Sequence, residues 1–414
     1  MLERSVAAEF TEMHMNIHSE INRPAVKGET PAAWAGVVSL SLGVFGLVTA
    51  EFLPASLLTP MSHDLGVSLG AAGQSVTATA VVGALAGPGV VLGTARFDRR
   101  YTLLALTSLL IISSLIAATA NGLVTLLLSR ALLGVGLGGF WAMSLALAMR
   151  LVPERLMPRA MAIVMTGVSA ATVCAAPVGA WVGEAFGWRA AFWIASVLGV
   201  VAFLVQAFTL PAMPPTSSGG LGTMAQVLRR PAIRLGLVTI LFVVAGHFAG
   251  FTFIRPFLET VPHFGVEAIS GILLAFGIGG FIGNIVGGLI AERNTTLAIT
   301  LAASGIAVTA FLLAFAGEAP ALAAVATALW GFAFGALPVS VQSFITEAAA
   351  DEAESAGALM LTTFQVAISS GAVLGGLIVD VKGAAGVFAF AGVAALLGAT
   401  LIGVASRRRV VAAG

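Results

Sequence analysis

Charged side chains are scarce in this sequence. Asp, Glu, Lys and Arg together make up 9% of the 414 residues, whereas apolar and aromatic residues make up 58%. A water-soluble domain of this length could not hide that much apolar surface in one core. The composition therefore excludes an ordinary soluble protein and predicts one that crosses a lipid bilayer many times.

The residues that metal and cofactor sites need are also missing. Cys174 is the single cysteine, which excludes an internal disulfide, and its small apolar neighbours predict a buried, unreactive thiol. The sequence has no HExxH pattern, no GxxxxGK[ST] loop and no Cys/His spacing typical of a metal site. No basic patch points to nucleic acid. We therefore expect neither an enzyme nor an ATP-driven pump, and no metal, cofactor or nucleic-acid partner.

Long apolar runs make up most of the chain. Twelve of them have 18 or more residues, enough to span the hydrocarbon layer as helices. They fall at about 34–60, 72–95, 101–120, 123–149, 160–183, 190–210, 235–257, 268–290, 295–316, 321–345, 357–379 and 386–405. The sequence thus predicts an all-α membrane protein with twelve transmembrane helices.

The basic residues predict the orientation of these helices. Sixteen of the 20 Lys and Arg residues fall on the side of the N-terminus, three fall on the opposite side, and Arg130 lies inside the fourth run. Because Lys and Arg accumulate in cytoplasmic loops, both termini are predicted to be cytoplasmic.

The two halves of the chain look like copies of each other. A shift of 197 residues places Gly134 and Gly138 on Gly331 and Gly335. Two parallel six-helix repeats predict a transporter with a central pathway. We divide the chain into a flexible cytoplasmic tail (1–33), a six-helix bundle (34–210), a cytoplasmic linker rich in Pro, Gly and Ser (211–234), a second bundle (235–405) and a basic cytoplasmic tail (406–414).

The first apolar run contains one carboxylate. Glu51 follows Trp34 by 17 residues, which places it roughly 25 Å along a helix, in the outer half of a ~30 Å hydrocarbon layer. An ionisable group at such a depth costs about 2.5–3.5 kcal/mol and is a functional candidate by default. Pro54 has no N–H to donate, so it should kink the helix and free a carbonyl near Ala50.

Arg130 is predicted to lie close to Glu51. By helical rise it sits about 10 Å from the outer surface, within a turn or two of Glu51 in depth. A buried guanidinium needs a partner. One hypothesis is a fixed ion pair with Glu51. The favoured one is an intermittent pair, broken when Glu51 takes up a proton and restored by substrate or a change of state.

The second half has polar side chains in its spans but no acid deep inside. His247 lies near the repeat-related position of Glu51, and we weigh a proton-relay role against a hydrogen-bonded packing role. Neutral amides, hydroxyls and aromatic rings suit an uncharged ligand with a flat base. The candidate substrate-binding residues are Phe45, Phe52, Asn284, Gln342, Thr362 and Gln365, with Phe248, Phe251, Trp330 and Phe334 as further aromatic candidates.

Three local patterns resemble signatures of the major facilitator superfamily, in its drug:proton antiporter branch. VVLGTARFDRRYTLL after the second run is similar to GxLaDRxGRR, although Ala95 stands where the family has aspartate. Arg130 and the glycines after it are similar to RxxxGxG. Pro177, Gly179 and Gly183 resemble the helix-kink motif gxxxGPxxGG of exporters, although Ala176 replaces a glycine. The resemblance implies proton coupling through Arg130 and the superfamily's fold of two six-helix bundles.

In that fold the second and eleventh helices are neighbours across the halves. Arg96, Asp98, Arg99 and Arg100 would then face the acidic loop 346–356, which contains Asp351 and Glu352. We predict that these two loops attract each other and latch the outward-open state, by about 1–3 kcal/mol as a small network. The alternative is that the arginines are only a topology signal.

The resemblance also implies a function. The stretches 49–80 and 129–153 resemble bacterial exporters of purine ribonucleosides. We therefore expect a monomeric, multi-pass protein of the bacterial inner membrane that exports a small neutral solute, with purine ribonucleosides preferred, in exchange for protons. A broader drug or sugar exporter is the alternative within the transport class, and a non-transporting membrane sensor is the alternative from another class.

Overall fold

The computed structural model describes residues 32–94, 96–153, 156–214 and 221–413. Within these ranges the chain is helical and has no strand. The first ten long helices are α1 (Trp34–Leu65), α2 (Leu69–Gly93), α3 (Arg99–Ala118), α4 (Leu123–Leu151), α5 (Met157–Phe186), α6 (Trp188–Thr209), α7 (Pro231–Thr252), α8 (Val266–Ala291), α9 (Thr295–Ala316) and α10 (Pro320–Ala348). Residues 1–31 of the predicted tail lie outside the described residues.

The last two long helices follow one another with a single break. Helical residues extend from Ala353 to Ala413 and are interrupted at Gly383, which has φ 71° and ψ 179°. Only glycine adopts this region without strain, so the chain turns there. We label the two parts α11 (353–382) and α12 (384–413), which confirms the prediction of twelve apolar helices.

Two shorter helices lie outside this pattern. One, Leu221–Leu228, lies in the connection between α6 and α7. The other, Ile254–Thr260, follows α7 after a break at Phe253. Pro256 explains this break, because it cannot donate a backbone hydrogen bond to the preceding turn. We call the side of the molecule with the α6–α7 connection the linker face, and the side with the α1–α2 connection the far face.

The internal repeat is visible in the helix packing. A Cβ atom on Gly138 of α4 would run into the carbonyl oxygen of Gly83 on α2, and one on Gly335 of α10 would run into that of Gly280 on α8. Both pairs are related by the shift of 197 residues. Glycine at these positions lets the backbones of neighbouring helices approach closely. The predicted repeat therefore corresponds to equivalent contacts between helices, α2 with α4 and α8 with α10.

Large apolar side chains cover the outside of the helices. Phe208 is 85% exposed and Phe315 79% exposed, as expected for surfaces that face lipid. Inside, one apolar core lies within α1–α6, and a second fills α7–α12 and includes Ala55 of α1 and Ala176 of α5. The second core thus continues across the contact between the two sets of helices.

Polar contacts between α1–α6 and α7–α12 cluster at the far face. Arg255 donates to the carbonyl of Ser56, Thr59 donates to Glu259, and Ser68 donates to Asp380. All of these residues lie near helix ends on that side. The structure is therefore closed at the far face.

Candidate functional site

The kink in α1 is held by a buried arginine. Nη1 of Arg130 donates to the carbonyl oxygen of Ala50 at 2.9 Å, and Nη2 donates to that of Glu51 at 3.3 Å. Nε donates to the carbonyl of Ser75 on α2 at 3.3 Å. Because Pro54 has no N–H, the Ala50 carbonyl has no partner within its own helix. Arg130 takes the hydrogen bond that proline removed. The sequence predicted the freed carbonyl near Ala50, but it did not predict this donor.

The Glu51 carboxylate does not pair with Arg130 in this structure. The guanidinium contacts the backbone of Glu51, and within the described ranges its side chain has no hydrogen bond and no cation within 4.0 Å. Arg130 is 1% exposed, whereas Glu51 is half-buried. The two groups lie at one depth, so a small movement of the carboxylate would suffice to bring them together.

A cluster of aromatic rings includes the residue after Glu51, Phe52. The ring of Phe52 on α1 lies 5.7 Å from that of Phe251 on α7 and 6.3 Å from that of Phe248. His247 stacks on Phe334 of α10 at 3.4 Å with an interplanar angle of 2°. The ring of Trp330, one turn before Phe334, lies 5.0 Å from His247. We call these residues, Phe52, His247, Phe248, Phe251, Phe276, Trp330 and Phe334, the aromatic cluster.

Several polar atoms in the cluster, or between it and the linker face, are buried without a partner. They are Nδ1 of His247, Nε1 of Trp330, Oε1 of Gln365 and Oγ1 of Thr49, none of which has a hydrogen bond within the described part of the chain. Such atoms are rare in native proteins, because a buried donor or acceptor without a partner costs about 1–3 kcal/mol. Together they offer donors and acceptors to a polar ligand.

Three further substrate-binding candidates lie between the aromatic cluster and the linker face. Phe45 is half-buried and lies two helical turns before Phe52 on α1. Gln365 is buried against Gly83 of α2, and the half-buried Thr362 precedes it by about one turn on α11. The structure thus separates these three residues from the aromatic cluster.

Asn284 and Gln342 lie still further from the cluster. Both are exposed, near the linker-face ends of α8 and α10. Asn284 follows Gly277 by two turns, and Gly277 packs against Val173 of α5. The side of α8 that carries Asn284 therefore faces the other half of the molecule.

The helix-kink motif lies against α1. Pro177 is inside α5, and the two glycines that follow it face Leu53, Ser56 and Leu57 of α1. A Cβ atom on Gly179 would lie 2.5 Å from Oγ of Ser56, and one on Gly183 would run into Leu57. The glycines thus permit close packing of α5 on the part of α1 beyond Glu51.

The basic residues of the predicted latch contact their own half. Asp98 caps α3 and accepts from the backbone N–H of Met213, at the start of the linker. Nη1 of Arg99 donates to the carbonyl of Thr94, and Nη2 of Arg100 donates to that of Ala207 at the end of α6. Arg96 is exposed. These residues hold the entry to the linker in place.

The acidic residues of the predicted latch also contact their own half, which is the second one. Asp351 pairs with Arg230 through two hydrogen bonds of 2.6 Å. These bonds lower the pKa of the Asp351 carboxyl from 3.8 to about 2. Glu352 is half-buried in the same short turn, and its side chain makes no hydrogen bond within the described residues. The two loops are therefore not joined in this far-face-closed state, and the latch stays a prediction for the opposite state.

Three features of the sequence were misjudged or missed. Cys174 is exposed, which corrects the expectation of a buried thiol, because it lies on the outward side of α5. Gln206 is completely buried in α6, where it accepts from Thr107 and donates to the carbonyl of Ser39. Arg255, one of the three basic residues counted on the side opposite the N-terminus, is 3% exposed. An amide or arginine at the end of an apolar run is the signal that could have identified the last two.

Comparison with known proteins identifies the family. The model of the Major Facilitator Superfamily matches residues 40–372. The chain is 40% identical over 369 residues to the purine ribonucleoside efflux pump NepI of Escherichia coli (strain K12), with 89% of this chain and 93% of the relative covered. It is also 40% identical to the NepI of Shigella dysenteriae serotype 1, with 89% and 94% covered.

Solved structures show the same fold at lower sequence similarity. A bacterial homologue of the human lysosomal transporter Spinster, in an inward-facing and unoccupied conformation, matches with a TM-score of 0.72 and 16% identity over 92% of this chain and 98% of that chain. The human organic anion transporter MFSD10 (TETRAN) matches with a TM-score of 0.64 and 16% identity over 90% and 100%. The chain therefore belongs to the Major Facilitator Superfamily of membrane transporters.

Proposed function

We propose that this transporter exports purine ribonucleosides, such as inosine and guanosine, in exchange for protons by alternating access. The observation that carries the proposal is the 40% identity to purine ribonucleoside efflux pumps over 93% of their length. Similarity over nearly the whole chain includes both sets of helices and the pathway between them. A sensor would not need such a pathway.

The aromatic cluster and the unpaired polar atoms support a nucleoside as the substrate. A purine base is flat and can stack on aromatic side chains, and Phe52 and Phe334 approach the middle of the molecule from opposite halves. The base and ribose together offer several donors and acceptors, which would match Nε1 of Trp330 and Oε1 of Gln365. Among the residues that the structure describes, no Lys or Arg belongs to the cluster, in keeping with an uncharged substrate.

Glu51 is the group that we propose to carry the proton. Glu51 is half-buried, its backbone carbonyl accepts from Arg130, and the next residue, Phe52, belongs to the aromatic cluster. Uptake of a proton neutralises the carboxylate and makes it easier to bury. Release of the proton would let Glu51 move onto Arg130. His247 remains a second candidate, since it stacks inside the cluster and its Nδ1 has no partner within the described residues.

We also propose an orientation and a location. The bias of the basic residues supports a cytoplasmic linker face with both termini on that side. The far face would then be periplasmic, and the protein would be a monomer in the bacterial inner membrane. On this assignment the far-face-closed structure is the inward-facing state, ready to take substrate from the cytoplasm.

The proposal is tested by transport into inside-out vesicles. Radiolabelled inosine should accumulate when an imposed pH gradient makes the vesicle lumen acidic, and the accumulation should disappear when the gradient is collapsed. Unlabelled guanosine should compete, whereas an uncharged sugar and a hydrophobic drug should not. Vesicles without the protein give the background.

Each outcome has a clear meaning. Competition by the drug or the sugar, with little competition by guanosine, would replace the nucleoside assignment by a broader exporter. Uptake that is the same with and without the gradient would exclude proton coupling. An absence of transport for every solute, in protein that is folded by its melting transition, would favour a non-transporting membrane sensor.

A further inference from the structure

Arg255 is a buried cation at the far face. It lies in the short helix Ile254–Thr260 after α7 and is 3% exposed. Its Nη1 donates to the carbonyl oxygen of Ser56 on α1 at 2.8 Å, and its Nε donates to Glu259 at 2.7 Å. Nη2 lies 3.7 Å from a carboxylate oxygen of Glu184 on α5. One guanidinium from the second half therefore contacts two helices of the first.

The Ser56 carbonyl is available because of a proline. In a regular helix the N–H of residue 60 would donate to it, but residue 60 is Pro60. Arg255 supplies the donor that this proline removes. The same relationship links Pro54, the Ala50 carbonyl and Arg130 one and a half turns earlier. That first contact stays within one half, whereas the second crosses between the halves.

Two carboxylates complete the far-face contact. Glu259 accepts from Nε of Arg255 through one oxygen and from Thr59 of α1 through the other, at 2.6 Å. Asp380 of α11 accepts from the hydroxyl of Ser68 at 2.7 Å and from the backbone N–H of Gly70 at 3.0 Å. The second contact places a negative charge at the N-terminus of α2, where the helix dipole favours it.

We propose that Arg255 is the gating residue of the far face, and that its hydrogen bond to the Ser56 carbonyl must break before the transporter opens to that side. The inference rests on the proposed alternating-access export. Ser56 lies two turns beyond Thr49 on α1, so the contact closes the route directly above the aromatic cluster. If the halves separated, Arg255 would keep Glu259 of its own helix, but its buried Nη1 would lose its acceptor. A buried donor without an acceptor is costly, which opposes opening until water reaches it.

The test measures access from the far face to a cysteine below the gate. Cys174→Ala removes the single native thiol, and Thr49→Cys then provides the target. A membrane-impermeant methanethiosulfonate reagent is added to right-side-out vesicles, and the rate of modification is measured. Arg255→Gln should raise this rate about tenfold or more, the factor expected for the loss of one hydrogen bond to a charged group.

Two further variants make the test specific. Pro60→Ala keeps Arg255 but restores an N–H that competes for the Ser56 carbonyl, so it should also raise the rate, by a smaller factor. Arg189→Gln is the matched control. This arginine lies on the same face but bonds to Asp64 and to the carbonyl of Ala120 in its own half, so its loss should leave the rate unchanged.

The outcomes separate the gate from the proposed function. An unchanged rate in both Arg255→Gln and Pro60→Ala would overturn the gating role, and so would an equal rise in Arg189→Gln. Should Arg255→Gln fail to fold, Pro60→Ala decides alone. The labelling needs no substrate, so a failure of inosine transport would leave this result intact. Labelling that rises only in inside-out vesicles would reverse the proposed orientation and keep the gate.

Discussion

Arg130 donates a hydrogen bond to the carbonyl oxygen of Ala50, at 2.9 Å, and not to the carboxylate of Glu51. The acceptor exists because Pro54 cannot supply the N–H that a regular helix would place there. A proline on one helix and an arginine on another therefore form one structural unit. The Glu51 carboxylate beside it is left free to bind a proton or to move onto the guanidinium.

Restoring the missing N–H should weaken that unit. In Pro54→Ala the backbone of residue 54 would compete with Arg130 for the Ala50 carbonyl. We expect proton-driven export to fall by about tenfold or more, because a hydrogen bond to a charged group contributes about 1.5–3 kcal/mol. The measurement is the vesicle assay with radiolabelled inosine.

Pro88→Ala on α2 is the matched control. Pro88 also lies inside a membrane-spanning helix, but the carbonyl that it frees, that of Ala84, accepts no side-chain hydrogen bond within the described residues. Transport in this variant should stay close to that of the unchanged protein. Equal losses in both variants would mean that proline alone, and not its partnership with Arg130, matters.

Replacing Arg130 should destabilise the protein. The guanidinium bonds to carbonyls on α1 and α2 at once and lies 6.0 Å from the ring of Phe192. The ammonium of lysine is a compact point charge and lacks the planar fork of donors by which the guanidinium bonds to both helices. Arg130→Lys should therefore lower the free energy of unfolding by about 2–4 kcal/mol, measured by thermal unfolding in detergent. The exposed Arg96→Lys, treated identically, should melt like the parent protein.

Neutralising Glu51 should uncouple transport from protons. In Glu51→Gln the side chain keeps its size but can neither bind nor release a proton. We expect accumulation driven by the pH gradient to be lost, while exchange of labelled for unlabelled inosine continues. Glu318→Gln, at an exposed position between α9 and α10, should keep both activities. Gradient-driven accumulation in Glu51→Gln would move the coupling role to another residue.

The pair of Asp351 and Arg230 should not take part in pH sensing. The pKa of Asp351 is lowered to about 2 by its hydrogen bonds with Arg230. A lowered pKa means that the pair is fully formed above the ordinary pKa and is lost only as the pH falls through about 2. Asp351→Asn should thus leave the pH profile of export unchanged between about pH 5 and pH 8.

The loss of the pair of Asp351 and Arg230 should be detectable by hydrogen exchange. Hydrogen exchange around the start of α7 should rise, because Arg230 would no longer be fixed to the loop after α10. Glu352→Gln, whose side chain makes no hydrogen bond within the described residues, should not change this exchange. A shifted pH profile in Asp351→Asn would show that the pair does titrate during transport.

The repeat-related glycines should tolerate no side chain. Gly138→Ala and Gly335→Ala would each place a methyl group on the carbonyl oxygen of a neighbouring helix. Overpacking of this kind costs about 1–3 kcal/mol, so both variants should melt earlier than the parent. Gly271→Ala is the control, because a Cβ atom there has no neighbour within 4 Å. If all three variants melted at similar temperatures, close helix packing would not explain the glycines at positions 138 and 335.

Most of the fold could be predicted because a membrane limits the possibilities. A lipid-exposed backbone must form helices, so apolar run length alone indicates the spans. The repeat also survives in the contacts, since Gly138 meets Gly83 in one half and Gly335 meets Gly280 in the other. Helix ends are predicted less accurately than spans. The span expected to begin at residue 235 begins at Pro231, because proline at a first turn continues into a helix without loss of a hydrogen bond.

The sites could be predicted only in part. Side chains within one helix, such as Glu51 and Pro54, have a relative position that helical geometry fixes. Helical geometry does not fix the relative position of side chains on different helices. The sequence favoured Arg96 and Arg99 as partners of Asp351, yet Asp351 pairs with Arg230 in this state. Several cations compete for each carboxylate at a membrane face, and the conformation of the two halves decides among them.

The sequence by itself determined the number of membrane-spanning helices, the internal repeat, the carboxylate within the first span and the carbonyl that Pro54 makes available. These features depend on local composition and on bonds within one helix. The tertiary structure alone decided which groups fill the remaining hydrogen bonds: Arg130 at Ala50, and Arg255 at Ser56 across the two halves. The physical reason is that a carbonyl freed by proline accepts from any donor within reach, and only the packing of the helices determines which donor that is.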